Sequence, residues 1–131
     1  MMMGFTRMDR LWVGLGGLTG LIAVAMAAAA AHALNFLSPA MLHVVESGVQ
    51  MQGWHALALV ACGVWAQRRD GPAWRNLAHW AGAAFALGTL LFCGAVYGLA
   101  LGGLATGPMA PIGGTLLMLG WLLLALSALR R

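Results

Sequence analysis

Charge is what this chain has least of. Three acidic and seven basic residues among 131, 8% in all, compare with roughly 25% in a soluble domain. So little charge cannot cover a water-soluble globule of this size, which excludes a soluble fold. Lysine is missing altogether, since all seven basic residues are arginine. They stand in groups of two or three between apolar runs and form no continuous basic face. The pI near 10.6 therefore does not mark a nucleic-acid binder, whose basic groups cluster to neutralise phosphates. The absence of lysine beside abundant Ala, Gly, Trp and Arg fits a GC-rich bacterial genome.

Carboxylates are absent from the apolar segments, and no pair of them stands together. No serine sits beside a histidine at an elbow, and no phosphate-binding glycine loop leads out of a strand. Gly113-Gly114 after Pro111 imitates such a loop only superficially and reads as a helix start that permits close packing. The expectation is a protein that is not an enzyme and holds no cofactor. Cysteine is scarce too. Cys62 lies four residues from the inner end of its apolar run and Cys93 sixteen beyond Leu77. At 1.5 Å per residue their depths differ by about 18 Å, too far for a disulfide within one subunit.

What is present is apolar: 62% hydrophobic residues and a mean hydropathy of +0.86. The solvent is a lipid bilayer, and the length allows about four helices of ~20 residues with short connections. The reading is an all-α integral membrane four-helix bundle, one domain over 1–131, with spans at about 11–34, 49–66, 77–101 and 111–129. Ser38 can cap a helix whose first turn holds Pro39, so the second helix is expected to start near residue 39, with a polar first half. Gly71-Pro72 breaks the chain after Arg69 and Asp70, and Trp74 and Trp80 flank Arg75 and His79 at the entry to the third run. The first run is longer than the ~7–15 residues of a secretory signal core and is read as a span.

Orientation follows from the arginines. Arg7 and Arg10 precede the first span, Arg68, Arg69 and Arg75 separate the second from the third, and Arg130 and Arg131 follow the fourth. The positive-inside bias then places both termini in the cytoplasm of a bacterial cell, with the protein in the inner membrane.

Small residues mark expected helix contacts, because in lipid helices associate by close backbone packing. Gly16 and Gly20 share a face of the first span, and Gly94, Gly98 and Gly102 repeat every four residues on the third. On this reading Gly98→Leu disrupts the bundle and Gly88→Leu is milder.

Polar residues gather on the side away from the arginines: His32, His43, Glu46, Gln50, Gln52 and His55. At 100° per residue, His43, Glu46 and Gln50 share one face of the second helix, while Gln52 and His55 lie on another. His55 is the most deeply embedded titratable group, with His32 and Gln52 as its nearest candidate partners. The candidate cluster is His32, Glu46, Gln52 and His55. Imidazoles, a carboxylate and the thioethers of Met41 or Met51 could ligate a transition metal, although the spacing matches no recognised metal signature. Hydrogen bonding between helices is the plainer role.

Several segments together resemble a known family. Ala31-His32-Ala33-Leu34, Gln50-Met51-Gln52-Gly53-Trp54-His55-Ala56-Leu57-Ala58-Leu59, Leu91-Phe92-Cys93-Gly94-Ala95-Val96-Tyr97, and Ala110-Pro111-Ile112-Gly113-Gly114 with Gly120-Trp121 are similar to the domain of unknown function 423 family. That family takes in YgdD-like bacterial inner-membrane proteins and resembles the mitochondrial transmembrane protein 256 group. The resemblance implies a small four-span membrane protein and carries over no catalytic residue. The chain departs from it at Ala27 to Ala30, where the family has glycines and a phenylalanine.

Two functions from different classes are consistent with these residues. One is a non-enzymatic accessory, assembly or interaction subunit. The other is a carrier or binding protein for a small ligand, a metal ion or a proton, using the outer-side His, Glu and Gln group. The partners implied are the bilayer, with other membrane proteins or further copies of the chain, and no nucleic acid.

Overall fold

A computed structural model describes residues 4–69, 71, 72 and 75–130, and the described residues form four helices and no strand. Of the positions singled out above, Asp70, Trp74 and Arg131 lie outside the described residues.

The first three helices each begin at a side chain that satisfies a free N–H group. Helix α1, Arg7–His32, starts four residues before the first apolar run, because Thr6 and Asp9 form a capping box. The Thr6 hydroxyl accepts from the Asp9 N–H at 3.2 Å, and the Thr6 N–H donates to Asp9 Oδ2 at 2.7 Å. Helix α2, Pro39–Ala66, is capped by Ser38, whose Oγ accepts from the Met41 N–H at 3.3 Å. Helix α3, Leu77–Gly102, opens on Asn76, whose Oδ1 accepts from the Ala78 N–H while Nδ2 donates to the Ala66 carbonyl. One side chain thus caps α3 and ties it to the end of α2. Gly103 ends α3 at φ +61°, a left-handed conformation suited to glycine. Helix α4, Met109–Leu129, has no side-chain cap.

Helices α1, α3 and α4 are long and apolar enough to cross a membrane. Helix α2 is the longest, with 28 residues, and its first half holds the polar residues that set it apart. The chain folds as two antiparallel hairpins, α1 with α2 and α3 with α4, joined through α2 and α3. The larger core cluster lies between these elements around Trp12, Leu59, Cys62, Phe85 and Leu117. Cys62 and Cys93 are both free and buried.

Backbones come closest at a few glycines. A Cβ added at Gly16 would lie 2.8 Å from the Ala56 carbonyl oxygen, and one at Gly63 2.7 Å from that of Asp9. These two positions set the α1–α2 spacing, with Gly20 in ordinary contact with Ala56. Between α3 and α4, a Cβ at Gly88 would stand 2.9 Å from the Gly113 carbonyl oxygen. A Cβ at Gly120 would stand 2.6 Å from the Phe85 ring.

Within one chain, the glycine stripe expected to pack α3 does not meet another helix. A Cβ at Gly94 would meet nothing within 4 Å, and at Gly98 and Gly102 the nearest atoms belong to Leu104 of the following loop, at 3.4 Å. The order expected for Gly98 and Gly88 is therefore reversed, since Gly88 holds the close approach. Four-residue spacing identifies residues that share a face, but which face meets a neighbour depends on how the hairpins dock.

Candidate functional site

Of the four residues expected to form an outer-side cluster, the structure buries two and leaves two at the surface. Gln52 and His55 are buried, whereas His32 and Glu46 are exposed. Glu46 Oε2 stands 3.9 Å from Nδ1 of His43, its neighbour one turn away, and both side chains are largely solvent-accessible. The face that carries His43, Glu46 and Gln50 turns outward, and the face that carries Gln52 and His55 turns into the bundle. The four side chains make no common site: the two faces of α2 diverge and part Glu46 from Gln52 and His55, and His32 stands at the last residue of α1, thirteen residues beyond the Thr19 that Gln52 meets.

Gln52 links three helices. Its Nε2 donates to the Thr19 carbonyl of α1 at 3.3 Å, and its Oε1 accepts from the Tyr97 hydroxyl of α3 at 2.7 Å. His55 is held at both ring nitrogens. Nδ1 stands 2.6 Å from the Met51 carbonyl, which can only accept, so Nδ1 carries the hydrogen. Nε2 then has the lone pair, and it accepts from the Trp121 indole N–H of α4 at 3.0 Å. Phe85 closes the group, its ring centroid 5.0 Å from that of Trp121 and 5.6 Å from that of His55. The partners expected for His55 were His32 or Gln52, and they are instead Met51 and Trp121. A neutral imidazole filled in this way has no lone pair left for a metal. Among the described residues no three His, Cys, Asp or Glu side chains gather in metal-ligating positions.

A second Trp–His pair stands near the other end of the bundle. The Trp12 indole of α1 donates to Nδ1 of His79 on α3 at 2.9 Å, leaving Nε2 to carry the hydrogen. That Nε2 faces Asp9 Oδ1 at 3.8 Å, and Asp9 is buried. Asp9 Oδ1 has no hydrogen-bond partner among the described residues. Asp9 was absent from the expected set because it precedes the apolar run. The Thr6-x-x-Asp9 spacing of a capping box was the signal for its placement.

Between α1 and α3 lies a cleft of about 580 Å³, lined by Leu15 and Thr19 of α1, Gln52 and Leu59 of α2, and Thr89 and Tyr97 of α3, among others. Its walls are apolar, and its polar groups belong to Gln52, Thr19, Thr89 and Tyr97.

Residues 26–114 match the family model described as "Protein of unknown function (DUF423)". The chain belongs to this family. It is 33% identical over 124 residues to UPF0382 inner membrane protein YgdD of Escherichia coli K12, covering 93% of this chain and 92% of that one. It is 36% identical over 123 residues to a UPF0382 membrane protein of Staphylococcus haemolyticus, covering 92% and 97%. A UPF0382 membrane protein of Haemophilus influenzae is 32% identical over 125 residues, covering 94% and 97%. No solved structure matches. Within this DUF423 chain the matched segment contains Gln52, His55, His79 and Tyr97, while Trp12 and Trp121 stand on either side of it.

Proposed function

We propose that this DUF423 protein is a non-enzymatic accessory, assembly or interaction subunit, crossing the inner membrane four times with both termini in the cytoplasm. The observation that supports it most is the engagement of His55 at both nitrogens, which turns the most embedded titratable residue into a fastening between α2 and α4. Gln52 fastens α1, α2 and α3 in the same manner. Polar groups buried in an apolar medium need partners, and these groups find them within the chain instead of presenting them to a substrate. Helix α2 contributes the fourth crossing: 28 residues at 1.5 Å each extend about 42 Å, longer than the ~30 Å hydrocarbon core, so its polar first turns reach the outer interface.

The exterior supplies the surface for interaction. Leu18, Leu21 and Val24 of α1 and Met118, Trp121 and Leu122 of α4 are exposed. Purification in mild detergent tests this reading. A fixed stoichiometry of one or more other polypeptides, or of further copies of the chain, is expected. A monomer holding a stoichiometric metal ion or small molecule would favour the second reading, a ligand-binding protein, for which the α1–α3 cleft is the supporting observation.

A further inference from the structure

Helices α2 and α4 both pack on α3, and their backbones hardly touch each other. Where their last turns run side by side, the gap is a groove of about 420 Å³, lined by Ala61, Val64, Trp65 and Arg68 at the α2 end and by Leu124 and Ala128 of α4. Ala61, Val64 and Ala128 are exposed, so the groove opens outward. The Trp65 indole N–H donates to Ser127 Oγ at 3.0 Å and holds the two walls together. The volume lies within the ~300–1,000 Å³ range of small-molecule sites.

One accessible charge stands in this otherwise apolar lining. The Arg68 guanidinium carbon lies 5.8 Å from the centroid of the Trp65 ring, and stacking of this kind keeps the head group beside the groove. Among the described residues Arg68 has no carboxylate partner. Its neighbour Arg69 is spent within the protein, donating to the Ser127 carbonyl at the end of α4. The adjacent arginines therefore differ: Arg69 ties α2 to α4, and Arg68 offers its N–H fork outward, a geometry that suits phosphate.

The level of the groove narrows the class. Ala66 is the last residue of α2 and Leu129 the last of α4, so Arg68 lies past the apolar helix, at the depth of lipid head groups. Trp65 stands in the interfacial belt where tryptophan is enriched. Ala61, five residues before Ala66, is about 8 Å deeper, among acyl chains. A cation at the interface above an apolar groove complements a phosphate above a hydrocarbon chain. Arg130 follows α4 at the same end, and neither Asp9 nor Glu46 lines the groove. An ammonium group would find no counter-charge there among the described residues, which favours a lipid of net negative charge.

We propose that the α2–α4 groove binds one anionic phospholipid, its phosphate on Arg68 and an acyl chain between Ala61 and Ala128. This goes beyond the accessory role and does not depend on it, since a subunit that contacts other proteins can also hold a lipid.

Native mass spectrometry of the full-length protein tests it, after mixing in detergent micelles with dioleoyl phosphatidylglycerol or dioleoyl phosphatidylcholine. One phosphatidylglycerol per chain is expected to stay bound, with phosphatidylcholine retained about fivefold less. Arg68→Gln should lower phosphatidylglycerol retention about fivefold, the effect of one arginine at an anionic membrane surface. Arg7→Gln removes an exposed arginine that lies outside the groove and should leave retention unchanged. Ala61→Phe and Ala128→Phe fill the groove from exposed positions, so the fold should stand and retention should fall at least as far. Inorganic phosphate at the same concentration should not displace the lipid, because it has no chain to occupy the groove. Equal retention of the two lipids, equal losses in Arg7→Gln and Arg68→Gln, displacement by inorganic phosphate, or a well-folded Ala61→Phe or Ala128→Phe protein that retains the lipid like wild type would each overturn the proposal.

Discussion

The Trp121 indole on α4 donates its N–H to Nε2 of His55 on α2 at 3.0 Å, joining the two hairpins by a hydrogen bond between helices that are not sequence neighbours. The pairing fixes the imidazole as the neutral Nδ1–H tautomer, because Nδ1 must donate to the Met51 carbonyl. Replacing one partner leaves the other unsatisfied where neither the bundle nor the surrounding lipid supplies water. His55→Leu and Trp121→Phe should each destabilise the bundle by about 1–3 kcal/mol. In a double-mutant cycle read by unfolding in detergent micelles, the pair should show a coupling of about 0.5–1.5 kcal/mol. Additive effects would mean that the two side chains do not meet.

Glycine substitutions separate the contacting face of α3 from the open one. Gly88→Leu should lower cellular abundance and melting temperature sharply, since even a Cβ there would stand 2.9 Å from the Gly113 carbonyl oxygen and from the Leu117 side chain. Gly94→Leu should be close to neutral, because that position borders empty space. Equal losses in the two variants would contradict the α3–α4 packing.

The arginine-rich end has its own fastening. His79→Leu removes the acceptor for the Trp12 indole and the group that faces Asp9 Oδ1. Its expected cost is about 1–3 kcal/mol, the penalty of a buried donor left without a partner. Trp12→Phe should cost stability as well, and more than its lost indole N–H alone, because the Trp12 ring also packs against Gly82. A His79→Leu protein as stable as wild type would show that this pair contributes nothing.

Much of the architecture could be read from sequence signals that act locally. Ser38-Pro39 and the polar first half of α2 depend on neighbouring residues alone, and helix α2 does begin at Pro39 with Ser38 as its cap. The capping box that starts α1 at Arg7 was equally local, but it lies ahead of the apolar run and hydropathy passes over it. The pairings were not legible. His55 shares its helix with Gln52, and His32 of α1 stood as a candidate partner, yet the antiparallel register sets Gly16 of α1 beside Ala56 and the partner of His55 comes from α4, 66 positions away. The same holds for Trp12 and His79, separated by 67 positions. One-helix periodicity states which residues lie together, and the docking of hairpins decides what they meet. That is also why the glycine stripe through Gly94, Gly98 and Gly102 pointed to a contact that α3 does not make within the chain.

Topology provides an independent prediction. Reporter fusions placed after residues 70 and 131 should both report the cytoplasm, since seven of seven arginines then lie on one side. Export of the reporter at either position would contradict the four-crossing arrangement.

The central claim is that His55 fastens helices and ligates nothing. It is tested most directly by measuring metal content and thermal stability side by side for the wild-type protein and His55→Gln, each purified in mild detergent. Glutamine can accept from the Trp121 N–H but cannot replace an imidazole as a metal ligand. The account predicts no stoichiometric metal in either protein, with His55→Gln less stable by about 0.5–1.5 kcal/mol, the loss of one hydrogen bond. One equivalent of a transition metal in the wild type, lost in His55→Gln while stability is unchanged, would contradict it.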